Sequence, residues 1–321
     1  MRNFLEYLSS GRTLVGPVFT GKVVENRVAM SSEILMDDRI AYNSIKAHYF
    51  PQSELMFTFS NDEITDNSDI SGYVIFGARP CDLEALRVMS IVYTSGKYAD
   101  PFFQRRFDAN FIIGVGCQKQ KPGCFCTEMG VDAEFSDFCD IMLIDHDGHY
   151  TVEHLSEKGQ NALNGYPPTS GIECSNERTA NASSENMIVF DVDEDDALFF
   201  DAIDWAKVTE TCKGCGICTY ICPTCYCFDF KDVSNKNDAK RFKCWDSCMS
   251  PKFTLHASGH NPREHLYERY RQRVLHKYKY VPSNFDGCVA CTGCGRCIRS
   301  CPVGINIREI ARQVMSAMPS T

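Results

Sequence analysis

Two cysteine runs with the same spacing constrain this chain more than anything else in it. Cys212, Cys215, Cys218 and Cys222, followed by Pro223, read C-x2-C-x2-C-x3-C-P, and Cys291, Cys294, Cys297, Cys301 and Pro302 repeat the pattern. Spacings this short let consecutive thiolates wrap one cuboidal iron-sulfur core. The interleaved Gly214 and Gly293 let backbone amides approach the sulfides without a Cβ in the way. The chemistry implied is the carriage of electrons.

The spacing also argues against the commoner uses of cysteine. Zinc sites pair separated C-x2-C knuckles or mix Cys with His, whereas here four thiols crowd together and are closed by proline. No C-x-x-C-H is present for covalent haem. The total of 19 cysteines is odd, and residues 1–30 interleave Arg2, Glu6, Arg12, Lys22 and Glu25 with apolar residues, unlike a signal peptide. A disulfide framework is therefore not expected, and a reducing, anaerobic cytoplasm is the expected location.

With 321 residues, 44% hydrophobic and 23% charged, the chain has room for two domains, and no apolar run is long enough to span a membrane. A net charge of -9 disfavours general nucleic-acid binding, which needs clustered Lys and Arg. The acidic stretch around Asp191, Asp193, Glu194, Asp195, Asp196, Asp201 and Asp204 reads as a solvated face, with a docking surface as the alternative.

Residues 72–77 (GYVIFG), 111–115 and 141–144 read as buried strands, and Pro80-Cys81-Asp82 opens a helix through about Val92. A hairpin is expected where 141–144 meets the turn at 145–148 and the strand at 150–152. Residues 165–186, rich in Asn, Ser, Gly and Pro, read as an irregular connection. The fold class expected is mixed, α+β or α/β. An N-terminal α/β domain (1–204) precedes a ferredoxin-like domain (205–321) with two [4Fe-4S] clusters and a helical insertion at about 230–285. Within that insertion, Asn261 and Pro262 look like the start of a helix over 262–280, with Leu266, Tyr270, Val274 and Tyr278 on one face.

Outside the tandem motifs, Cys81, Cys117, Cys124 and Cys126 follow expected strands or sit in the loop GCQKQKPGCFC. They suit either a third iron-sulfur cluster or plain burial as small apolar residues. Cys225 and Cys227 lie too near Cys222 to be extra ligands of its cluster, and shield it or belong to another site. Cys244 and Cys248 flank Trp245 in a loop able to supply a substitute ligand, while Cys139, Cys174 and Cys288 look incidental. The histidines, including His256, His260, His265 and His276, show no metal spacing and read as surface or packing residues.

The phrases FGARPCDLEAL (76–86), GCFCTEMG (123–130), CKGCGICTYICPTCYCFD (212–229), WDSCMSPKF (245–253), ERYRQRVLHK (268–277) and CTGCGRCIRSCP (291–302) occur in one order. Together they resemble the A-subunit family of the anaerobic sulfite reductases, which includes beta subunits of archaeal sulfhydrogenases. The resemblance implies an intracellular, non-catalytic relay subunit. Its expected partners are a flavoprotein subunit oxidising NAD(P)H and a terminal reductase, either a sirohaem sulfite reductase or a nickel-iron hydrogenase. It also favours the third cluster on Cys81, Cys117, Cys124 and Cys126.

In two-cluster ferredoxins the fourth cysteine of each motif serves the other cluster. Applied here, Cys212, Cys215, Cys218 and Cys301 hold one cluster, and Cys291, Cys294, Cys297 and Cys222 the second. No G-x-G-x-x-G or P-loop is present, so chemistry beyond relay is not expected. A self-contained iron-sulfur reductase is the competing reading.

Overall fold

The computed structural model describes residues 2–37, 39–60, 63–67, 72–146, 149–166, 172–174, 187–236 and 238–318. Strands run over Thr13–Phe19 (β1), Val24–Val28 (β2), Ser53–Ser60 (β3), Glu63–Asp66 (β4), Tyr73–Ala78 (β5) and Phe111–Val115 (β6). They continue over Ile141–His146 (β7), His149–His154 (β8), Ile172–Cys174 (β9), Phe228–Ser234 (β10) and Asp238–Trp245 (β11).

The chain divides into two compact units. Met1–Tyr49, Ile70–Glu185 and Thr292–Cys294 form the first; Phe50–Asp69, Asn186–Cys291 and Gly295–Thr321 form the second. A linear reading puts one boundary near Asp204, whereas the chain divides at several points, and the segment holding β3 and β4 goes with the second unit. The reason is pairing: β3 is hydrogen-bonded to β11, so its backbone groups are satisfied there.

The first unit is built on a seven-stranded sheet ordered β2-β1-β5-β6-β7-β8-β9. β1, β5, β6 and β7 run parallel, and β2 and β8 pair antiparallel at either side of them. Period-two burial puts Val74, Phe76, Phe111, Ile113, Ile141 and Leu143 into one core with Phe4, Leu5, Leu14 and Ile34. The expected helix runs Pro80–Thr94, with proline at its first turn and Asp82 near its positive end. A second helix, Pro101–Ala109, is capped by Asp100, whose carboxylate accepts from Phe102 N (2.8 Å) and Phe103 N (3.1 Å). The two helices form the crossover between β5 and β6, so Cys81 and Cys117 both follow the carboxyl ends of parallel strands. The expected hairpin is present as β7 and β8, its turn at 147–148 lying outside the described residues. Most of the 165–186 connection also lies outside them, apart from β9.

The second unit contains an antiparallel sheet ordered β10-β11-β3-β4. The insertion between the cysteine motifs is thus a β-hairpin followed by helix, where the sequence suggested helix alone. Lys243 and Glu54 form a buried ion pair across β11 and β3 at 3.0 Å, beside Phe50 stacked on Trp245 at 5.8 Å. Helix Leu266–Leu275 runs on through a π-helical turn, His276–Tyr280, into Val281–Asn284.

That helix begins four residues later than Asn261-Pro262 suggests. Asn261 Oδ1 accepts from Arg263 N (3.0 Å) and from Thr254 Oγ1, which makes a local turn instead of a cap. The guanidinium of Arg269 takes the carbonyls of Arg263 (3.1 Å) and Glu264 (2.6 Å), which a helix from 262 would have used internally. Glu268 instead accepts from His265 N at 2.7 Å, closing the start at Leu266.

Candidate metal centres

The two cysteine motifs fold alike. Gly216 and Gly295, at φ +74° and +70°, precede one-turn helices Ile217–Tyr220 and Arg296–Arg299. Gly214 and Gly293 adopt φ +62° and +61°. Equal spacing has given equal backbone, as the internal repeat requires.

In the second unit, Cys212, Cys215, Cys218 and Cys301 line one pocket. Met249, Tyr270, Arg273 and Cys297 line it too. These four thiols are the set expected from exchange of the fourth cysteine, and the chemistry of the lining fits an iron-sulfur core. Backbone amides point at the sulfurs: Ile305 N donates to Cys301 Sγ at 3.2 Å, and Gly214 N to Cys212 Sγ at 3.5 Å. Such donors favour thiolate over thiol.

Two buried cations stand among these cysteines. Arg273 is 2% exposed and Lys277 3%. Arg273 donates to the Cys218 carbonyl at 3.1 Å while its Nε has no hydrogen-bond partner. Burial works against its charge, yet Cys218 and Cys297 hold it above its ordinary range. Lys277 Nζ donates to Thr224 Oγ1 (2.9 Å) and the Ala290 carbonyl (3.0 Å). Burial opposes its charge as well, and neighbouring Cys222, Cys225 and Cys291 raise its pKa. Two buried cations without anions would be very costly, so the arrangement presupposes negative charge on the sulfurs.

Cys222 is the clearest case. The Cys225 thiol donates to it, and Lys277 and Arg273 add to that, so it lies well below the ordinary thiol range despite burial. Burial pushes Cys297 up to about 11, against Arg273, with Cys222 and Cys291 as neighbours. Cys222, Cys291 and Cys297 of the expected second set are thus near one another. Cys294, the fourth of that set, falls with Thr292 and Gly293 in the first unit, packed with Cys81 and Cys126.

The sequence reading missed both cations. It placed Leu266, Tyr270, Val274 and Tyr278 on one face, of which the last three are buried and Leu266 is half-buried. The adjacent row Arg269, Arg273 and Lys277, at the same four-residue spacing, is buried as well. That row was the available signal, since cations alternating with the apolar stripe of a helix between two cysteine motifs are placed to meet thiolates.

In the first unit the four remaining candidate thiols come from the ends of β5 and β6 and the loop after β6. Cys81 packs with Cys126. Burial pushes Cys126 up to about 11, with Cys124 and Cys117 adding to it. Burial also raises Cys117, and Arg79 counters it. Arg79 itself is anchored to carbonyls, donating to Gly116 O and Asp37 O, both at 2.9 Å. Gln120 Nε2 donates to Cys126 Sγ at 3.5 Å. The Cys124 thiol donates to Cys294 O at 3.4 Å, and Phe125 N to Gly293 O at 2.7 Å.

Elsewhere in the second unit, the Cys248 thiol donates to Cys227 and draws it down to about 7, while Cys248 itself is pushed far up. In the first, Cys139 is buried and donates to Ser136 O at 3.7 Å, a packing role. His276 is held down at about 4 by burial and hydrogen-bonds Tyr226 Oη at 3.2 Å. Among the described residues no three His, Cys, Asp or Glu side chains close on a single-ion position.

Comparison with known proteins bears on the same segment of the chain. Residues 211–305 match a family model described as a 4Fe-4S dicluster domain. The chain is 29% identical over 283 residues to the Sulfhydrogenase 2 subunit beta of Pyrococcus furiosus, an alignment covering 85% of this chain and 83% of that protein. No solved structure matches it. The resemblance read from the ordered motifs is thereby borne out, and the dicluster match supports iron-sulfur clusters as cofactors. Among the described residues no helix is long and apolar enough to cross a membrane.

Proposed function

We propose that this chain is the iron-sulfur electron-transfer subunit of a multi-subunit oxidoreductase, taking electrons from an NAD(P)H-oxidising flavoprotein and passing them to a terminal reductase. The observation that carries this reading is the cavity lined by Cys212, Cys215, Cys218 and Cys301 with Arg273 buried in its wall. Bound there, a [4Fe-4S] cluster supplies reversible one-electron chemistry. The chain's own part is to hold thiolates with Cys212, Cys215, Cys218 and Cys301, and with Cys291, Cys294, Cys297 and Cys222. Arg273 and Lys277 offset their charge, and the amides of Gly214 and Ile305 donate to sulfur.

The relative's name favours a sulfhydrogenase-type complex; with the family resemblance, that makes a nickel-iron hydrogenase one reading of the terminal partner and a sirohaem sulfite reductase the other. A third cluster on Cys81, Cys117, Cys124 and Cys126 belongs to the proposal, supported by the proximity of these thiols and by Arg79 beside Cys117. The expected location is the cytoplasm.

Iron and acid-labile sulfide in anaerobically purified protein test the count: two cubanes give about eight irons per chain and a third brings about twelve. Cys126→Ser should then remove about four irons and leave the tandem-motif signals in electron paramagnetic resonance. Colourless, iron-free protein would end the proposal. Sustained NAD(P)H-dependent sulfite or dye reduction by the isolated chain would replace the relay with a self-contained reductase.

A further inference from the structure

Three further cysteines of the second unit, none of them in the tandem motifs, are gathered by the fold, and one of them, Cys225, donates its thiol to Cys222. Cys225 lies one turn beyond Cys222, its amide reaching the Cys222 carbonyl at 3.4 Å. Cys227 leads into β10, and Cys248 follows the end of β11. The β10–β11 register pairs Phe228 with Trp245, and Asp246 N donates to Cys227 O at 2.9 Å, so the hairpin base brings residues 246–248 back against Cys227. The Cys248 thiol and its backbone amide both donate to Cys227 Sγ.

This loop is held from two sides. Ser247 Oγ shares a hydrogen bond of 2.7 Å with Thr219 Oγ1, the residue after Cys218. Arg269 Nε donates to Met249 O at 3.1 Å. Cys248 therefore sits between two anchored neighbours. Cys225 is an electrostatic neighbour of Cys248, and Arg273 and Lys277 act on this group of thiols as well as on the tandem motifs. Three loosely packed apolar cysteines would need neither the anchors nor the cations.

We propose that Cys225, Cys227 and Cys248 form a further iron-sulfur site in the second unit, using none of the tandem-motif cysteines as ligands and adjoining them through Cys222. A set made only of thiolates selects zinc, copper(I) or iron-sulfur cores. The choice among these follows from geometry. No three such side chains, among those described, close on one ion, and this is equally true of Cys212, Cys215 and Cys218, which line one pocket. The buried cations favour a core that carries several negative charges. The three cysteines then hold three corners of that core.

This inference rests on the reading of the chain as an iron-sulfur protein, and its test is a difference that leaves that reading standing if the new site fails. Full-length wild type, Cys227→Ser and Cys248→Ser are purified anaerobically and compared for iron, labile sulfide, zinc and paramagnetic resonance after reduction. Each variant should lose about three to four irons with matching sulfide while the tandem-motif signals persist. Folded variants with unchanged iron overturn the proposal. So does stoichiometric zinc lost with the same substitutions, or a Cys227–Cys248 disulfide in anaerobic protein.

Should the variants not fold, wild type is alkylated with iodoacetamide before and after acid and chelator strip its iron. Cys225, Cys227 and Cys248 are expected to be protected before and labelled after. Labelling in the iron-replete chain overturns the site.

Discussion

The cysteine motifs at 212–222 and 291–301 share one backbone and live in different surroundings. At Gly214 an added Cβ would meet only Leu266 Cδ1, at 3.3 Å; at Gly293 it would meet the carbonyl carbon and oxygen of Phe125, both at 2.5 Å. The same glycine is therefore a loop requirement in one copy and a packing requirement in the other. Charge differs between the two units, while Arg273 and Lys277 face thiols of both motifs. The second unit sets Arg273 and Lys277, both buried, against its thiols, whereas in the first unit Arg79 acts on Cys117 while tied to backbone carbonyls. A repeated motif fixes how thiolates are presented, and the neighbouring elements fix the field they sit in.

The sharpest way to break this comparison is Cys301→Ala. With the fourth cysteines exchanged, the cluster of Cys212, Cys215 and Cys218 should be lost, about four irons, while that of Cys291, Cys294 and Cys297 stays visible in electron paramagnetic resonance. Loss of the second motif's cluster alone would show that each motif keeps its own fourth ligand.

Next in size are the glycines. Gly293→Ala should cost about 3 kcal/mol in urea unfolding, because a left-handed residue also meets rigid backbone, and Gly214→Ala about 1 kcal/mol. Equal costs would remove the distinction between the two loops.

Arg273→Met takes one positive charge from beside Cys218 and Cys297. An added electron is then less favourable by about 2 kcal/mol, so the potential of the nearest cluster should fall by on the order of 100 mV in a redox titration. An unchanged potential would mean that the guanidinium acts on packing alone.

The smallest effect concerns protons. Burial holds His48 in the first unit at about 4, as it does His276 in the second. The unfolded ring takes a proton below about 6.5 and the folded one only near 4. The unfolded state is thus favoured as pH falls, and the stability is fully present above 6.5 and lost towards 4. By pH 5.5 each ring should cost about 1 kcal/mol, and His48→Gln should flatten this dependence in urea midpoints taken at pH 7.5 and 5.5.

Much of this was legible from residues alone. Buried strands at 111–115 and 141–144 and the helix from Pro80 emerge where local pattern and tertiary demand agree. The β10–β11 hairpin was missed because Phe228–Ser234 alternates little and most of it is exposed, so periodicity gave no signal. The helix start at Asn261 was misplaced because the side chain of Arg269 folds back and claims the carbonyls the first turn needed. Cys225, Cys227 and Cys248 were each visible, but their gathering depends on hairpin register, which no spacing rule contains.

The sequence by itself determined the ligand chemistry. Thiols three residues apart on a glycine-bearing loop can reach one core whatever surrounds them, since the reach is set by covalent geometry. Tertiary structure alone decided which cations face those sulfurs, which glycine is crowded and which stray cysteines meet. Those outcomes depend on contacts between segments far apart in the chain, where burial and desolvation, not local conformation, set the energy.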